Sequence, residues 1–92
     1  MQTTEYKIYS MSYKDMTYVG QTKVRLSKRI GNHHYRARWE DKQTPLYTAI
    51  NKHGFENFKV EVLATCNTKE VADMIEQRFI RAIGNLNTKH RG

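Results

Sequence analysis

The sequence predicts an α+β fold in which a small three-stranded antiparallel sheet is flanked by three helices, in the order ββααβα. Two patterns of apolar residues carry this prediction. In three short segments the apolar residues alternate with polar ones, as in strands with one buried face. In three other segments they recur every three or four residues, as on the buried side of a helix. A chain of 92 residues is expected to form one domain, residues 1–92, with an open groove rather than a closed cavity.

The three predicted strands cover residues 5–11, 16–20 and 56–65. Lys14 and Asp15 suit a turn, so the first two strands are expected to pair as an antiparallel hairpin. Strict alternation in the third strand predicts one buried face, which consists of Phe58, Val60, Val62 and Ala64.

The first predicted helix covers residues 25–38. A shorter second helix is expected to begin at Thr44 and Pro45, which are typical of an N-cap and a first turn. Gly54 is expected to end it, because glycine adopts the backbone conformation that follows a last helical turn. The apolar spacing of the first helix predicts an inward face formed by Leu26, Ile30, His34 and Ala37.

The third predicted helix begins with a capping box formed by Asn67 and Glu70 and ends at Gly84. Its predicted inward face consists of Val71, Ile75, Phe79, Ala82 and Ile83. Glu76 is unusual, because it projects on the flank of this apolar face, where a carboxylate is costly to desolvate unless a metal, a cation or a hydrogen bond compensates it. Pairing with a nearby arginine, such as Arg78, is the structural alternative.

The charge of the chain indicates a polyanionic partner. Sixteen Lys and Arg residues against nine Asp and Glu residues give a formal net charge of +7. In the first helix the basic side chains form one continuous stripe, and like charges at this spacing slightly destabilise a helix. The stripe therefore favours an anionic ligand such as nucleic acid, although a solvated charged face is also common. Its members are Arg25, Arg29, His33 and Arg36.

Cysteine content and the N-terminal segment bear on the compartment. Cys66 is the single cysteine, so no disulfide framework or cysteine-based zinc cluster is expected. The first residues do not resemble an apolar leader, and no apolar run approaches the length that spans a membrane. We therefore expect a cytoplasmic protein of a reducing, intracellular compartment, with no membrane partner.

Two of the six tyrosines are expected to lie close together. Tyr9 and Tyr18 occupy adjacent strands of the predicted hairpin. A phenol acts as a general base only if a neighbouring cation or imidazole lowers its pKa, and Arg29 and His33 on the next helix are candidates for that role. Ordinary packing is the default for the other tyrosines considered, Tyr6, Tyr35 and Tyr47.

Short motifs spread over about residues 6–87 resemble the GIY-YIG nuclease family in type and in order. They are the strand segments Lys7-Ile8-Tyr9 and Tyr18-Val19-Gly20, the pair Arg29 and His33, the segment Lys52-His53-Gly54, and the helical Glu76. Lys7 departs from the usual glycine of the first motif. The final asparagine of the family corresponds to Asn85 or Asn87, of which Asn87 is preferred. The Lys52-His53-Gly54 segment is frequent in members from phages and mobile introns, so a phage or mobile-element origin is compatible with the sequence.

The resemblance implies hydrolysis of DNA phosphodiester bonds with one divalent ion, Mg²⁺ or Mn²⁺, held by Glu76. Tyr9 would be the general base for the attacking water, and His33 would share the proton and orient Tyr9. Tyr18 would hydrogen-bond near the nucleophile or the phosphate, and Arg29 would neutralise charge that develops on the phosphoryl oxygens. The residues expected to contact the nucleic acid are Lys23, Arg25, Lys28, Arg36, Arg38 and Asn87.

Two other classes of function fit the same residues. One is a non-catalytic nucleic-acid-binding module on the same scaffold, which metal-dependent cleavage would exclude. The other is a protein-interaction domain that uses its basic helix on an acidic partner, which DNA binding at low salt would argue against. The sequence leaves open the oligomeric state and whether the DNA target is single-stranded, duplex or branched.

Overall fold

In the computed structural model, which describes residues 4–39 and 44–87, the elements follow the predicted order. They are β1 (Tyr6–Tyr13), β2 (Met16–Thr22), α1 (Leu26–Trp39), α2 (Pro45–His53), β3 (Lys59–Cys66) and α3 (Lys69–Ile83). A single turn of 3-10 helix, Phe55–Asn57, lies where the third strand was predicted to begin, so β3 starts later than expected. The α+β class and the ββααβα order are confirmed. Within the described residues, no helix has both the length and the apolar character needed to cross a membrane.

The three strands form one antiparallel sheet with β1 in the centre, in the order β2-β1-β3. The predicted turn between β1 and β2 is present, and Lys14 adopts a positive φ of 57° there. The register places Tyr9 opposite Gly20 on β2 and opposite Val62 on β3. Because side chains alternate across a strand, Tyr9 faces one side of the sheet and its neighbour Ile8 faces the other.

Each face of the sheet has its own apolar core. Helices α1 and α2 cover the face of Tyr9 and Met11, and Leu46 of α2 is among the side chains that pack with them. Helix α3 covers the other face, where Ile8 packs with Val19 and Ala72. Side chains that alternate along β1 and β2 are therefore divided between two separate layers.

The inward face of α1 differs from the prediction at one position. His34 was expected to point inward, but it is exposed and its ring stacks on Phe55 with 4.2 Å between the ring centroids. His33 points inward instead and is only 3% exposed. With His33 the inward positions follow the ideal helical spacing of residues 26, 30, 33 and 37. The prediction placed the wrong one of two adjacent histidines in the interior.

The inward face of α3 is also rotated relative to the prediction. Ile75 and Phe79 face the sheet as expected. Three residues predicted inward are exposed, namely Val71, Ala82 and Ile83. Ala72 and Ile80 pack against the sheet in their place. The rotation moves Glu76, which is half-buried, from the flank of the inward face to a position between inward residues.

The alternation in β3 does not produce the predicted buried face. Phe58 is buried just before the strand and Ala64 is half-buried, but Val60 and Val62 are 36% and 47% exposed. The described core under α1 and α2 is built on residues of β1 and β2, and β3 is an outer strand. An apolar side chain on an outer strand remains exposed where no helix packs over it.

The helix ends follow the sequence with one correction. Thr44 caps α2 as predicted, and its hydroxyl oxygen accepts a hydrogen bond from the backbone N–H of Tyr47 at 3.2 Å. Gly54 ends α2 with a φ of 92°, which favours glycine. Helix α3 is capped by Thr68, whose side chain accepts from the N–H of Val71, and not by Asn67.

Candidate active site

The hairpin places Tyr9 and Tyr18 side by side against α1. Tyr9 is fully buried, and 6.2 Å separates the centroids of the two rings. A Cβ atom on Gly20 would lie 2.6 Å from the Tyr9 hydroxyl oxygen and 2.9 Å from the Tyr18 ring. Only glycine leaves room for both rings at this position, because they cross directly over its backbone. The glycine of the second motif therefore shapes the site.

Helix α1 brings Arg29 and His33, one turn apart, onto the hydroxyl of Tyr9. The Tyr9 hydroxyl oxygen lies 2.7 Å from Nε2 of His33. The Nε–H group of Arg29 donates to the same oxygen at 3.4 Å. The rings of Tyr18 and His33 meet edge to face, with centroids 5.4 Å apart. Four of the five predicted catalytic residues thus form one contiguous cluster.

Burial controls the protonation of this cluster. It raises the pKa of Tyr9 well above the usual value, and the neighbouring Tyr18 raises it further. Arg29 acts in the opposite direction, but its effect is smaller, so the net lowering of the Tyr9 pKa that the sequence argument required is not found. Burial, with the charges of Arg29 and Arg36, lowers the pKa of His33 to about 4. Near pH 7, therefore, Tyr9 is a neutral phenol and His33 a neutral imidazole.

The two ring nitrogens of His33 differ in their hydrogen bonding. Its Nε2 atom is occupied by Tyr9. Its Nδ1 atom is buried and has no hydrogen-bond partner among residues 4–39 and 44–87. A buried polar atom without a partner is costly, and such atoms are concentrated at functional positions. Burial of this imidazole therefore costs stability at Nδ1, while its Nε2 atom contacts Tyr9.

Glu76 lies on the other side of β2 and is held by Gln21. The side-chain amide of Gln21 donates from Nε2 to Glu76 Oε1 and to Asp73 Oδ1, both at 2.8 Å. Lys69 donates to Gln21 Oε1 at 3.2 Å and to Asp73 Oδ1 at 2.9 Å. The lysine and the two carboxylates fix which end of the amide is oxygen and which is nitrogen. Within the described residues Glu76 forms no ion pair, so the alternative pairing with Arg78 is wrong.

Gln21 was not predicted to be a residue of the site. It follows the second motif directly and faces α3, where Asp73 and Glu76 are three residues apart on one helix. Two carboxylates at this spacing require a shared donor or cation to lie close together. That requirement is the signal in the sequence that points to a partner such as Gln21.

The donor set around Glu76 suits a hard divalent cation held largely by water and substrate. The described residues contain no cluster of three or more His, Cys, Asp or Glu side chains that could enclose a metal. Mg²⁺ is often held by one or two carboxylates together with phosphate oxygens and water. Glu76 fits this mode. The charge of Glu76 also contributes to the raised pKa of Tyr18.

A shallow pocket of about 140 Å³ opens beside the cluster. Its walls are Tyr18, Arg29, His33, Thr44, Leu46, Tyr47 and Leu86. Tyr47 was expected to pack ordinarily, and it is indeed buried, but its ring also lies 6.1 Å from that of His33. Tyr35 was also expected to pack at the edge of the core, but it is 65% exposed.

Asn85 and Asn87 attach the segment after α3 to the outer edge of β2. The Asn87 side chain accepts from the N–H of Val19 at 2.9 Å and donates to its carbonyl at 2.8 Å. Asn85 accepts from the N–H of Thr17 at 2.8 Å. Contact of Asn87 with nucleic acid stays a prediction. Its amide here holds the strand between Tyr18 and Gly20.

The remaining side chains that were predicted to bind nucleic acid are all on the surface. They are Lys23, Arg25, Lys28, Arg36 and Arg38. Three of them, Lys28, Arg36 and Arg38, are on α1, the helix that also carries Arg29 and His33, and Lys23 and Arg25 precede that helix. A strand of nucleic acid following this surface would pass the tyrosine cluster.

A buried phenol–imidazole pair with an arginine on the same oxygen therefore lies on an α+β scaffold, beside a basic helix surface. The chain belongs to the GIY-YIG family, because the sequence profile of the GIY-YIG catalytic domain matches residues 5–89. That family is a family of nuclease domains, so the predicted resemblance is confirmed over nearly the whole chain. Comparisons with curated proteins and with solved structures found no significant match.

Proposed function

We propose that the chain is a divalent-metal-dependent endonuclease that hydrolyses phosphodiester bonds of DNA. The observation that carries the proposal is the 2.7 Å contact between the Tyr9 hydroxyl and Nε2 of His33. It occurs in a domain of a nuclease family, with an arginine on the same hydroxyl oxygen. The contact joins a proton donor to a neutral base in a buried position, which is the arrangement that general base catalysis requires.

Tyr9 works as a base by passing a proton on. Its raised pKa keeps it a phenol at neutral pH, so it cannot accept a proton unless it loses its own. His33 is neutral at that pH and lies in hydrogen-bonding contact with it. As Tyr9 takes a proton from the attacking water, it gives its own proton to Nε2 of His33. This transfer requires the tautomer of His33 that carries its hydrogen on Nδ1.

Arg29 stabilises the negative charge that arises during the transfer. Its Nε–H group already donates to the Tyr9 oxygen, where phenolate character develops. Its other N–H groups are suited to the phosphoryl oxygens, since a guanidinium binds two oxygens at once. Tyr18, whose pKa is also raised by burial, remains a hydroxyl and is suited to donate to the phosphate or to position the water.

Glu76 would hold the divalent ion, Mg²⁺ or Mn²⁺, on the α3 side of β2. When bound, the ion supplies Lewis-acid stabilisation of the leaving 3′ oxygen. Gln21 positions the Glu76 carboxylate by its hydrogen bond to Oε1. The products would carry a 5′ phosphate and a 3′ hydroxyl. The basic residues of α1 would contact the DNA backbone and position it without reading its sequence.

The test compares two carboxylates of α3 that share the same hydrogen-bond donor. Glu76→Ala is expected to abolish cleavage of plasmid DNA in Mg²⁺, since the proposed ion ligand is lost. Asp73→Ala is the matched control, which removes a carboxylate bound to the same Gln21 but is expected to retain most cleavage. Cleavage is measured with Mg²⁺ and with chelator, and melting temperature is measured without metal.

The melting temperature of the Glu76→Ala chain should not fall, because a half-buried charge has been removed. A Glu76→Ala chain that melts much earlier and still cuts would exclude the metal-ligand role. Cleavage that persists in chelator would exclude metal dependence altogether.

A further inference from the structure

Two large aromatic side chains on α1 are exposed, and the proposed chemistry does not use them. Tyr35 and Trp39 are each 65% exposed and lie one helical turn apart, with ring centroids separated by 6.4 Å. The guanidinium of Arg38 lies 5.8 Å from the centre of the Trp39 ring. Adjacent exposed apolar rings with charged neighbours are typical of an interaction site. We call Tyr35 and Trp39 the aromatic pair.

The aromatic pair lies beside the basic stripe of the same helix. At about 100° per residue, Lys28 falls on the same side of α1 as the aromatic pair. Arg29 and Arg36 occupy the adjacent strip of α1, between the aromatic pair and the buried face. Positive charge therefore separates the aromatic rings from the tyrosine cluster, and one polyanionic strand could follow the charge and reach both.

We propose that the aromatic pair binds an unpaired nucleotide of the substrate by stacking on its base, so that the enzyme selects DNA with a single-stranded segment next to the cut. This inference rests on the proposed nuclease function for its substrate and deepens it by naming the form of DNA. A base in a duplex already stacks on both sides, whereas an unpaired base offers its face to an aromatic ring. The basic stripe binds the backbone on either side of that base.

Charge favours nucleic acid over the other occupants of this surface. A second copy of the chain carries the same formal net charge of +7. An interface between copies across the aromatic pair would bring the basic stripes of both copies together, which is unfavourable. Aromatic rings interleaved with arginine and lysine are the combination with which proteins bind single strands without reading sequence.

The chain offers a direct probe, because Trp39 is its single tryptophan. Tryptophan emission of the full chain is measured in chelator, which prevents cleavage, during titration with three oligonucleotides of equal length. These are a single strand, a blunt duplex, and a duplex with a single-stranded flap. We expect the single strand and the flap to quench Trp39 emission, since a stacked base quenches an indole, and the blunt duplex to leave it nearly unchanged.

Affinities of variants for the same labelled oligonucleotides complete the experiment. Trp39→Leu and Tyr35→Ala are each expected to bind the single strand and the flap about 10-fold more weakly and the blunt duplex with unchanged affinity. Met74→Ala is the matched control, because Met74 is also an exposed apolar side chain, at 53%, but lies on α3. The Tyr35→Ala chain retains Trp39, so its quenching can be followed as well.

Equal quenching by the blunt duplex, or unchanged affinity of both aromatic variants, would overturn the proposal. Emission that shifts with protein concentration in the absence of DNA, together with a dimer in solution, would assign the surface to a second copy instead. The experiment does not depend on cleavage. A chain that shows the expected quenching but does not cut DNA in Mg²⁺ would refute the proposed catalysis and leave the stacking surface in place.

Discussion

The two faces of the sheet differ in how they handle water and charge. On the face under α1, Tyr9 and His33 are buried and neutral, and their pKa values are displaced mainly by loss of solvent. On the face under α3, Glu76 and Asp73 share Gln21 in a solvent-accessible network that includes an exposed lysine. Both faces meet at β2, whose successive residues point to opposite sides.

Under the proposed function, this difference separates two chemical tasks within one very small domain. Proton transfer between neutral groups gains from a dry environment, where hydrogen bonds are strong and water does not compete. A hard cation requires oxygen ligands and several waters, so the solvent-accessible position of Glu76 suits it better. Because successive side chains of β2 point to opposite faces, the two environments are only one residue apart along the strand.

The largest effect is expected at Tyr9, whose phenol is buried under α1. Tyr9→Phe should lower the single-turnover rate of DNA cleavage by about 10³-fold, because the variant has no hydroxyl to accept and pass on a proton. Tyr13→Phe, on the same strand and also packed in that core, is the matched control and should cut at the wild-type rate. If Tyr9→Phe cuts as fast as wild type, the Tyr9 hydroxyl does not transfer a proton in the reaction.

The next effect concerns the pH dependence of stability. The pKa of His33 falls from 6.5 in the unfolded chain to about 4 in the folded chain. Below pH 6.5 the unfolded state therefore takes up a proton that the folded state refuses, so stability is lost as the pH falls from 6.5 towards 4. The loss amounts to about 3 kcal/mol.

Urea unfolding at several pH values measures this loss. His33→Gln should flatten the dependence between pH 4 and 6.5. The substitution His34→Gln, at the exposed neighbour, should leave it unchanged. Equal slopes for the two variants would show that His33 is not buried in a neutral form.

A third effect contrasts two glycines of different surroundings. Gly20→Ala should cost about 2 kcal/mol and reduce cleavage, because its Cβ would lie 2.6 Å from the Tyr9 hydroxyl oxygen. At Gly31 on α1 a Cβ meets nothing within 4 Å, so Gly31→Ala should stabilise the chain by about 1 kcal/mol. Chemical unfolding measures both changes. The same sign for both substitutions would mean that the two rings over Gly20 can move aside.

The smallest effect is expected at Gln21, in the solvent-accessible network under α3. Gln21→Leu should raise the Mg²⁺ concentration for half-maximal cleavage about 10-fold, because Glu76 loses the donor that positions it. Mn²⁺ affinity, measured by calorimetry without DNA, should fall in parallel. Gln77→Leu, on the exposed side of α3, is the control and should change neither value. Unchanged Mn²⁺ affinity in Gln21→Leu would separate Gln21 from the ion site.

The spacing of apolar residues was sufficient to predict the order of helices and strands. It was insufficient to predict which face of each helix points inward. Strand and helix periods differ strongly, so the ββααβα order followed from them. Adjacent residues on a helix are only about 100° apart, so spacing alone could not choose between His33 and His34. Hydropathy favoured Val71 over Ala72 on α3, whereas close packing on the sheet selected the smaller side chain. Such choices depend on the opposing surface.

The candidate site was predictable in part from the residues and in part from the family resemblance. The position of Glu76 beside apolar residues and the basic stripe of α1 were visible in the sequence. The grouping of Tyr9 with Arg29 and His33 was proposed from the residues, and the resemblance gave each of them a role. The bonds of Gln21 to α3 join residues 52 and 55 positions apart, and no local pattern specifies such a pairing.

The asparagines that seal the edge of β2 also determine when the domain can be complete. Asn85 and Asn87 bind Thr17 and Val19, which precede them by 68 residues. Closing so long a loop is entropically expensive and slow, so this edge is expected to be among the last contacts formed in folding. A chain that stops at residue 84 would present an open strand edge next to Tyr18, which is a site for intermolecular strand addition. Until residues 85–87 dock on β2, this edge is open to such pairing, which exposes the domain to aggregation.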